Sequence, residues 1–109
     1  DYAQDLSVFL VSHFRLQVLE LPVRRRIQDV ISLMHDFAVD FADEVGDETF
    51  GVRLAAGLAR SFTTSARFVL DEEFAKSLFF RGRYLLEQLA AQTEETLLDY
   101  EAPGDILLD

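Results

Sequence analysis

The feature that most constrains this chain is a stripe of apolar residues in its second quarter. Successive members lie four, three, four, three and four positions apart: Val23, Ile27, Val30, Met34, Phe37 and Phe41. This spacing returns to the same face of an α-helix at every turn. Pro22 suits the first turn of such a helix, and Gly46, which follows Val45, suits its C-terminal cap. The pattern predicts an amphipathic helix from Pro22 to Val45 with a buried apolar face.

Burial of this stripe has an energetic consequence at Phe37, which lies near its C-terminal end. Truncation of a large aromatic side chain in a packed core costs roughly 3–5 kcal/mol, because it leaves a cavity. The pattern therefore predicts that Phe37→Ala destabilises the fold by that amount.

The chain before and after this helix also shows helical spacing. Between Ala3 and Leu19, apolar residues recur at every fourth position: Leu6, Leu10, Phe14 and Val18. The third segment, roughly Phe50 to Val69, carries a row of small residues that permits close helix–helix approach: Gly51, Ala55 and Ala59. Thr63-Thr64-Ser65 has low helix propensity, so a break is expected there.

The fourth segment begins with Asp71-Glu72-Glu73, which is typical of a helix N-terminus. Its apolar positions extend the helical pattern to about Tyr100, before Pro103-Gly104: Leu78, Leu85, Leu89 and Leu97. An unbroken helix to Tyr100 is one interpretation. The alternative is that Thr93 caps a separate short helix.

No window of the sequence alternates apolar and polar residues with the period of two that a half-buried strand requires. Only two prolines and five glycines interrupt the chain, which favours long segments and short loops. The sequence therefore predicts an all-α fold, an antiparallel four-helix bundle. We expect residues 1–102 to form a single helical domain. Residues 103–109 form an acidic-apolar tail that docks on the body or frays.

Composition excludes several classes of function. Twenty acidic residues against ten basic ones give a net charge of −10, which disfavours nucleic-acid binding. The chain has no cysteine, so disulfides, thiolate catalysis and Cys-ligated metal centres are excluded. No apolar run approaches the roughly 20 residues of a membrane span, and the first residues do not resemble a signal peptide. We therefore expect a cytoplasmic protein without a membrane span.

One acidic group has the spacing to hold a hard cation on one helix: Asp36, Asp40, Asp43 and Glu44. In a chain this acidic, a solvated helix face is the simpler interpretation. We expect no metal and no cofactor.

His35-Asp36 lies on the second helix, with Arg24-Arg25-Arg26 upstream and Asp40 one turn beyond. This local pattern resembles helical phosphotransfer domains of two-component signalling, where the phosphoaccepting His on a bundle helix is often followed by an acid. The resemblance implies His35 as an alternative phosphoacceptor. Phe37-Ala38-Val39 then departs from the Pro and polar residue of kinase dimerisation helices and from the Lys-Gly of free-standing phosphotransfer domains. The other interpretation is a surface histidine without a catalytic role.

The fourth segment carries more aromatic residues than one helix face can bury. Phe79 and Phe80 lie about 100° apart around a helix, and Tyr84 lies one turn beyond Phe80. Arg81 and Arg83 stand in the same stretch, and aromatics with Arg are enriched at interfaces. We expect these five residues to form a homodimer interface. The alternative is that the fourth helix is central and surrounded by the others.

Arg53, Arg60 and Arg67 recur every seven residues, along one stripe of the third segment. Salt bridges to neighbouring acidic helices are the simpler interpretation of this stripe. A docking stripe for an acidic partner helix is the second.

These features favour a non-enzymatic role, as an acidic α-helical interaction module that acts as an adaptor, regulator or chaperone and forms a homodimer. The runner-up is a histidine phosphotransfer or sensor-kinase-like bundle that uses His35. A third possibility is a bundle whose Phe-rich interior binds an apolar ligand.

Overall fold

The computed structural model describes residues 1–16 and 20–108. These residues form four α-helices, and within the same two ranges there is no strand. The helices are α1 (Tyr2–Phe14), α2 (Leu21–Val45), α3 (Phe50–Ser65) and α4 (Glu72–Ala90). Two short 3-10 turns span Ala66–Phe68 and Leu97–Asp99. The predicted all-α four-helix bundle is confirmed. Val18, which was expected in the first helix, lies outside the described residues.

Helix α3 lies in the middle of the fold. It packs against α1 and α4, and α2 packs against α1. The side chains of α3 that face its neighbours are almost inaccessible: Phe50, Leu54, Ala55, Leu58, Ala59 and Phe62. Phe14 joins three helices, since its ring lies 6.1 Å from that of Phe62 and 5.9 Å from that of Phe74. The core is therefore built around α3.

Local signals set both ends of α2. Pro22 occupies its first turn, where a proline costs no helical hydrogen bond. Gly46 adopts a left-handed conformation with φ of 71°, and its N–H donates to the carbonyls of Ala42 and Asp43. The predicted C-terminal end at Val45 is confirmed, and the helix begins at Leu21, one residue before the predicted start at Pro22.

The expectation that the fourth helix continues to Tyr100 is wrong, because α4 ends at Ala90. Thr93 and Thr96 explain why the helix stops. The N–H of Thr93 donates to Oγ1 of Thr96 at 2.9 Å, and the N–H of Thr96 donates to Oγ1 of Thr93 at 3.3 Å. These bonds compete with helical pairing of the backbone. The alternative of a separate short helix is the one observed, as the 3-10 turn Leu97–Asp99, but Thr96 and not Thr93 occupies its N-cap.

A break near Thr63-Thr64-Ser65 was expected, and α3 ends at Ser65. The Thr63 hydroxyl donates to the carbonyl oxygens of Ala59 at 3.1 Å and Arg60 at 3.0 Å. A Thr side chain bonded in this way weakens the helix at its own position. The chain then continues as the 3-10 turn Ala66–Phe68.

The C-terminal segment docks on the helical body. Leu107 belongs to the core cluster, and Ala102 and Ile106 pack against that cluster. The carbonyl of Tyr100 lies so close to Gly51 that a methyl group there would come within 2.8 Å of it. Docking rather than fraying is therefore the outcome for the described part of the tail.

The apolar stripe of α2 is not buried, contrary to its sequence pattern. We call Val23, Ile27, Val30, Met34, Phe37 and Phe41 the α2 stripe. Phe37 is 68% exposed and the other members are 36–43% exposed, apart from partly buried Ile27. The buried residues of α2 are Ile31 and Ala42, which lie about a quarter turn away. Because α2 stands at the edge of the fold, this second face is the one that becomes buried, whereas the stripe meets α1 along one side and is otherwise exposed.

The expectation for Phe37→Ala is wrong for the same reason. A large cost requires a cavity in a closed core. The Phe37 ring is mostly in solvent, so its truncation leaves no such cavity within one chain.

Two glycines allow α1 and α4 to approach α3 closely. A methyl group at Gly57 of α3 would lie 2.6 Å from Oγ of Ser7 on α1. At Gly82 of α4 it would lie 2.7 Å from Cγ2 of Thr63 and 2.9 Å from the carbonyl oxygen of Ala59. The second clash involves backbone, which cannot move aside without shifting a helix.

We expect Gly82→Ala to lower the free energy of unfolding by about 1–2 kcal/mol, because overpacking outweighs the gain in helix propensity. Urea denaturation of the two proteins measures this difference. Gly104→Ala is the matched control, since nothing lies within 4 Å of its added methyl group. Equal midpoints for Gly82→Ala and wild type would contradict the close approach.

Candidate functional site

An open apolar groove of about 390 Å³ runs between α1 and α2. Its α1 wall is formed by Tyr2, Leu6 and Phe9, and its α2 wall includes three members of the α2 stripe: Met34, Phe37 and Phe41. The Phe41 ring packs edge-on against the Tyr2 ring at 5.5 Å. Asp5 is the one charged residue among the described residues that line the groove. The groove and the α2 stripe thus form one continuous apolar surface.

The second exposed apolar surface lies on α4, where the sequence predicted it. Leu78 and Leu85 are fully buried, whereas Phe79, Phe80 and Tyr84 are 44–57% exposed. The rings of Phe79 and Phe80 lie edge-on at 5.9 Å. The alternative of a central, surrounded fourth helix is therefore wrong. An interface role for these aromatics stays a prediction, and the exposed α2 stripe competes with them for the homodimer contact.

Arg81 is less exposed than these aromatics, because its guanidinium contacts other residues of the same chain. Nη1 donates to the carbonyl oxygen of Ile106 at 2.6 Å, and Nε donates to Oγ of Ser77 at 3.2 Å. The guanidinium also lies 4.7 Å from the centre of the Phe14 ring. Arg81 thus clamps the C-terminal segment onto α4 and α1. Arg83, by contrast, is exposed and pairs with Glu87 at 2.8 Å, four residues along the helix.

The three arginines of the third segment do not form one continuous stripe. Arg60 is exposed on α3. Arg67 lies beyond the end of α3, in the 3-10 turn, where its guanidinium lies 5.9 Å from the centre of the Phe68 ring. The change of helix type breaks the seven-residue register on which the docking stripe depends. Arg53 is paired within the chain, as the simpler interpretation expected.

Arg53 joins the N-terminus, the loop before α3 and α3 itself. Its Nη1 donates to both carboxylate oxygens of Asp47, at 2.7 and 2.8 Å, and its Nη2 donates to Asp1 at 3.0 Å. The Tyr2 hydroxyl also donates to Asp47. The Arg53 guanidinium and then the Tyr2 hydroxyl lower the pKa of Asp47 to about 2. In turn, the Asp47 carboxylate raises the pKa of Tyr2.

His35 lies at the edge of a cavity of about 480 Å³ whose lining is partly apolar and partly acidic. Its side chain is 42% exposed, and Nδ1 lies 3.2 Å from the Asp36 carboxylate. The charged residues among the described lining are acids: Asp36, Asp40, Asp43, Asp47, Glu48 and Glu101. An acidic surrounding repels the acidic phosphorylated site of a partner, so the geometry does not favour the phosphotransfer alternative.

The sequence did not identify the groove or the two arginine clamps. Apolar spacing shows that a helix has an apolar face, but it does not show which neighbour covers that face. The partners of Arg53 and Arg81 include residues 52 and 25 positions away, where no local pattern links them. The seven-residue spacing of Arg53, Arg60 and Arg67 was the one sequence pattern that singled out Arg53.

Comparison with known proteins finds no matching family model, no matching curated protein and no matching solved structure. None of the helices in residues 1–16 and 20–108 has both the length and the hydropathy of a membrane span. In the same part of the chain, no group of three or more His, Asp or Glu side chains is placed to hold a metal ion.

Arg81 and Arg83 provide a matched pair of substitutions. We expect Arg81→Ala to lower the free energy of unfolding by about 1–3 kcal/mol, since it removes charge-assisted bonds that hold the C-terminal segment. Amide hydrogen exchange at residues 105–108 should accelerate in the same variant. Arg83→Ala removes only an exposed pair and should change stability by less than about 0.5 kcal/mol. Equal effects of the two variants would contradict the clamp.

The lowered pKa of Asp47 makes stability depend on pH in acid. Its carboxyl is charged above about 2 in the folded chain, against an ordinary value of 3.8. The stabilisation is therefore complete above pH 3.8 and is lost as pH falls toward 2. Urea midpoints at pH 5 and at about pH 2 should differ less in Asp47→Asn than in wild type. Glu101→Gln, at an exposed acid, should keep the wild-type difference; a similar reduction in both variants would contradict this assignment.

Proposed function

We propose that this chain is a non-enzymatic, acidic α-helical interaction module that assembles as a homodimer. The exposed α2 stripe, continuous with the groove between α1 and α2, carries the proposal. Monomeric soluble proteins rarely leave contiguous apolar patches of this kind in water. Removal of apolar area from water favours association, so a second surface is expected to cover the stripe.

A second copy of the chain is the occupant that we propose for this surface. In a two-fold dimer each copy contributes the same patch, so a self-complementary surface is covered completely by one contact. Dimerisation leaves the aromatic surface of α4 displayed twice, on an edge of the fold away from α2. This arrangement suits an adaptor, regulator or chaperone of the cytoplasm, which binds a further protein through two equivalent sites.

Sedimentation equilibrium tests this self-association directly. As protein concentration rises, we expect the mass to approach twice the 12.4 kDa of one chain. The same chain in strong denaturant calibrates the monomer mass. A folded chain that stays at 12.4 kDa over the whole concentration range would contradict the proposal.

A further inference from the structure

We infer that α2 is the seam of an antiparallel homodimer, in which the α2 stripe of one copy packs on the α2 stripe of a second copy. This inference rests on the self-association proposed above and assigns it a surface and an orientation. Three observations support it: the spacing of the stripe, the charges beside it, and the position of α1 around α2.

The spacing of the α2 stripe is that of a coiled-coil seam. Steps of four and three residues repeat with a period of 3.5, which places alternate members at the a and d positions of a heptad. The a positions are Ile27, Met34 and Phe41, and the d positions are Val23, Val30 and Phe37. Most of these side chains are exposed within one chain, so the seam lacks its partner helix.

The same spacing reads identically in both directions along α2. An antiparallel pairing centred on Ser32 therefore maps the α2 stripe onto itself and faces every a residue with a d residue of the second copy. The opposed pairs are Val23 with Phe41, Ile27 with Phe37, and Val30 with Met34. These layers combine larger with smaller side chains, as close packing of two helices requires.

The charges beside the stripe select the antiparallel orientation. Arg26, Leu33 and Asp40 occupy the g positions and are exposed along the solvent side of the stripe. An antiparallel pairing places Arg26 of each copy opposite Asp40 of the other, which gives two symmetric ion pairs. It also places the two Leu33 side chains opposite each other. A parallel pairing would instead place Arg26 and Asp40 opposite the e positions Ile31 and Val45 of the second copy, so that it would form neither ion pair.

The position of α1 shows how the two copies close. Helix α1 packs along one side of the α2 stripe, next to Ala38 and Phe41, and leaves the other side open. Two α1–α2 pairs joined through their stripes therefore form an intermolecular four-helix arrangement. Leu6 and Phe9 of the groove wall face its centre. The dimer thus buries the groove together with the stripe.

Glutamate substitutions on α2 and α4 test the surface. Leu33 and Phe37 are each 68% exposed, so Leu33→Glu/Phe37→Glu should leave the fold intact, as circular dichroism can verify. We expect this variant to dimerise at least about a hundredfold more weakly, since it places four like charges at the seam. Phe80→Glu/Tyr84→Glu is the matched control on α4 and should dimerise like wild type. A dimer that dissociates only in the α4 variant would overturn the assignment.

Disulfide trapping tests the orientation, and the chain carries no cysteine of its own to interfere. We would mix Val23→Cys chains with mass-tagged Phe41→Cys chains and oxidise them. An antiparallel seam yields the mixed disulfide and little of either uniform one. Uniform disulfides, or no disulfide in a sample that sediments as a dimer, would overturn the antiparallel seam.

Charge reversal gives an independent readout in solution. We expect Arg26→Glu to weaken the dimer about tenfold, because each copy then opposes a Glu to Asp40. Arg26→Glu/Asp40→Arg should restore the wild-type dissociation constant. Failure of this rescue would overturn the predicted g-position pairing. A wild-type chain that never dimerises refutes the proposed self-association itself, whereas a dimer unaffected by Leu33→Glu/Phe37→Glu refutes only the role of α2.

Discussion

The rest of the structure depends on the close packing of α1 and α4 against α3. Gly57 and Gly82 carry no side chain at the points where these helices meet, so Ser7 and the carbonyl of Ala59 occupy the space that a methyl group would need. The helix axes can then approach until Leu58 and Phe62 are fully enclosed. Because α3 has both sides occupied in this way, α2 is left to pack on α1 at the edge of the fold.

Two arginines fasten the ends of the chain to this central unit. Arg53 ties Asp1 and Asp47 to α3, and Arg81 ties the C-terminal segment to α4. In a chain with twice as many acids as bases, these cations neutralise carboxylates or satisfy a carbonyl where the helices meet. The two arginines therefore stabilise the fold. The exposed surfaces of α2 and α4, by contrast, are apolar.

The sequence predicted best what local chemistry decides. Pro22 and Gly46 marked the ends of α2 correctly, because a proline and a left-handed glycine act on their own backbone. The reciprocal bonds of Thr93 and Thr96 ended α4 early, and Thr93 was the local signal for that end. Which neighbour covers the apolar face of a helix is decided by tertiary packing and not by the local sequence. Ile31 and Ala42, outside the most regular pattern, became the buried contacts of α2 because that side faces α3 and the C-terminal segment.

Net charge also bears on where such a chain can associate, since a surplus of acids opposes any contact between two copies. The region from Asp71 to Asp109 holds ten acids against three bases, whereas α2 holds five acids against three. Within α2 the bases lie near the N-terminal end and most of the acids near the C-terminal end. When two copies of α2 pair antiparallel, the bases of one copy therefore lie beside the acids of the other. The same helix thus combines an exposed apolar stripe with a small net charge whose two signs lie toward opposite ends. The α4 surface, by comparison, belongs to the most acidic part of the chain, where the approach of a second copy costs more and a basic partner is attracted.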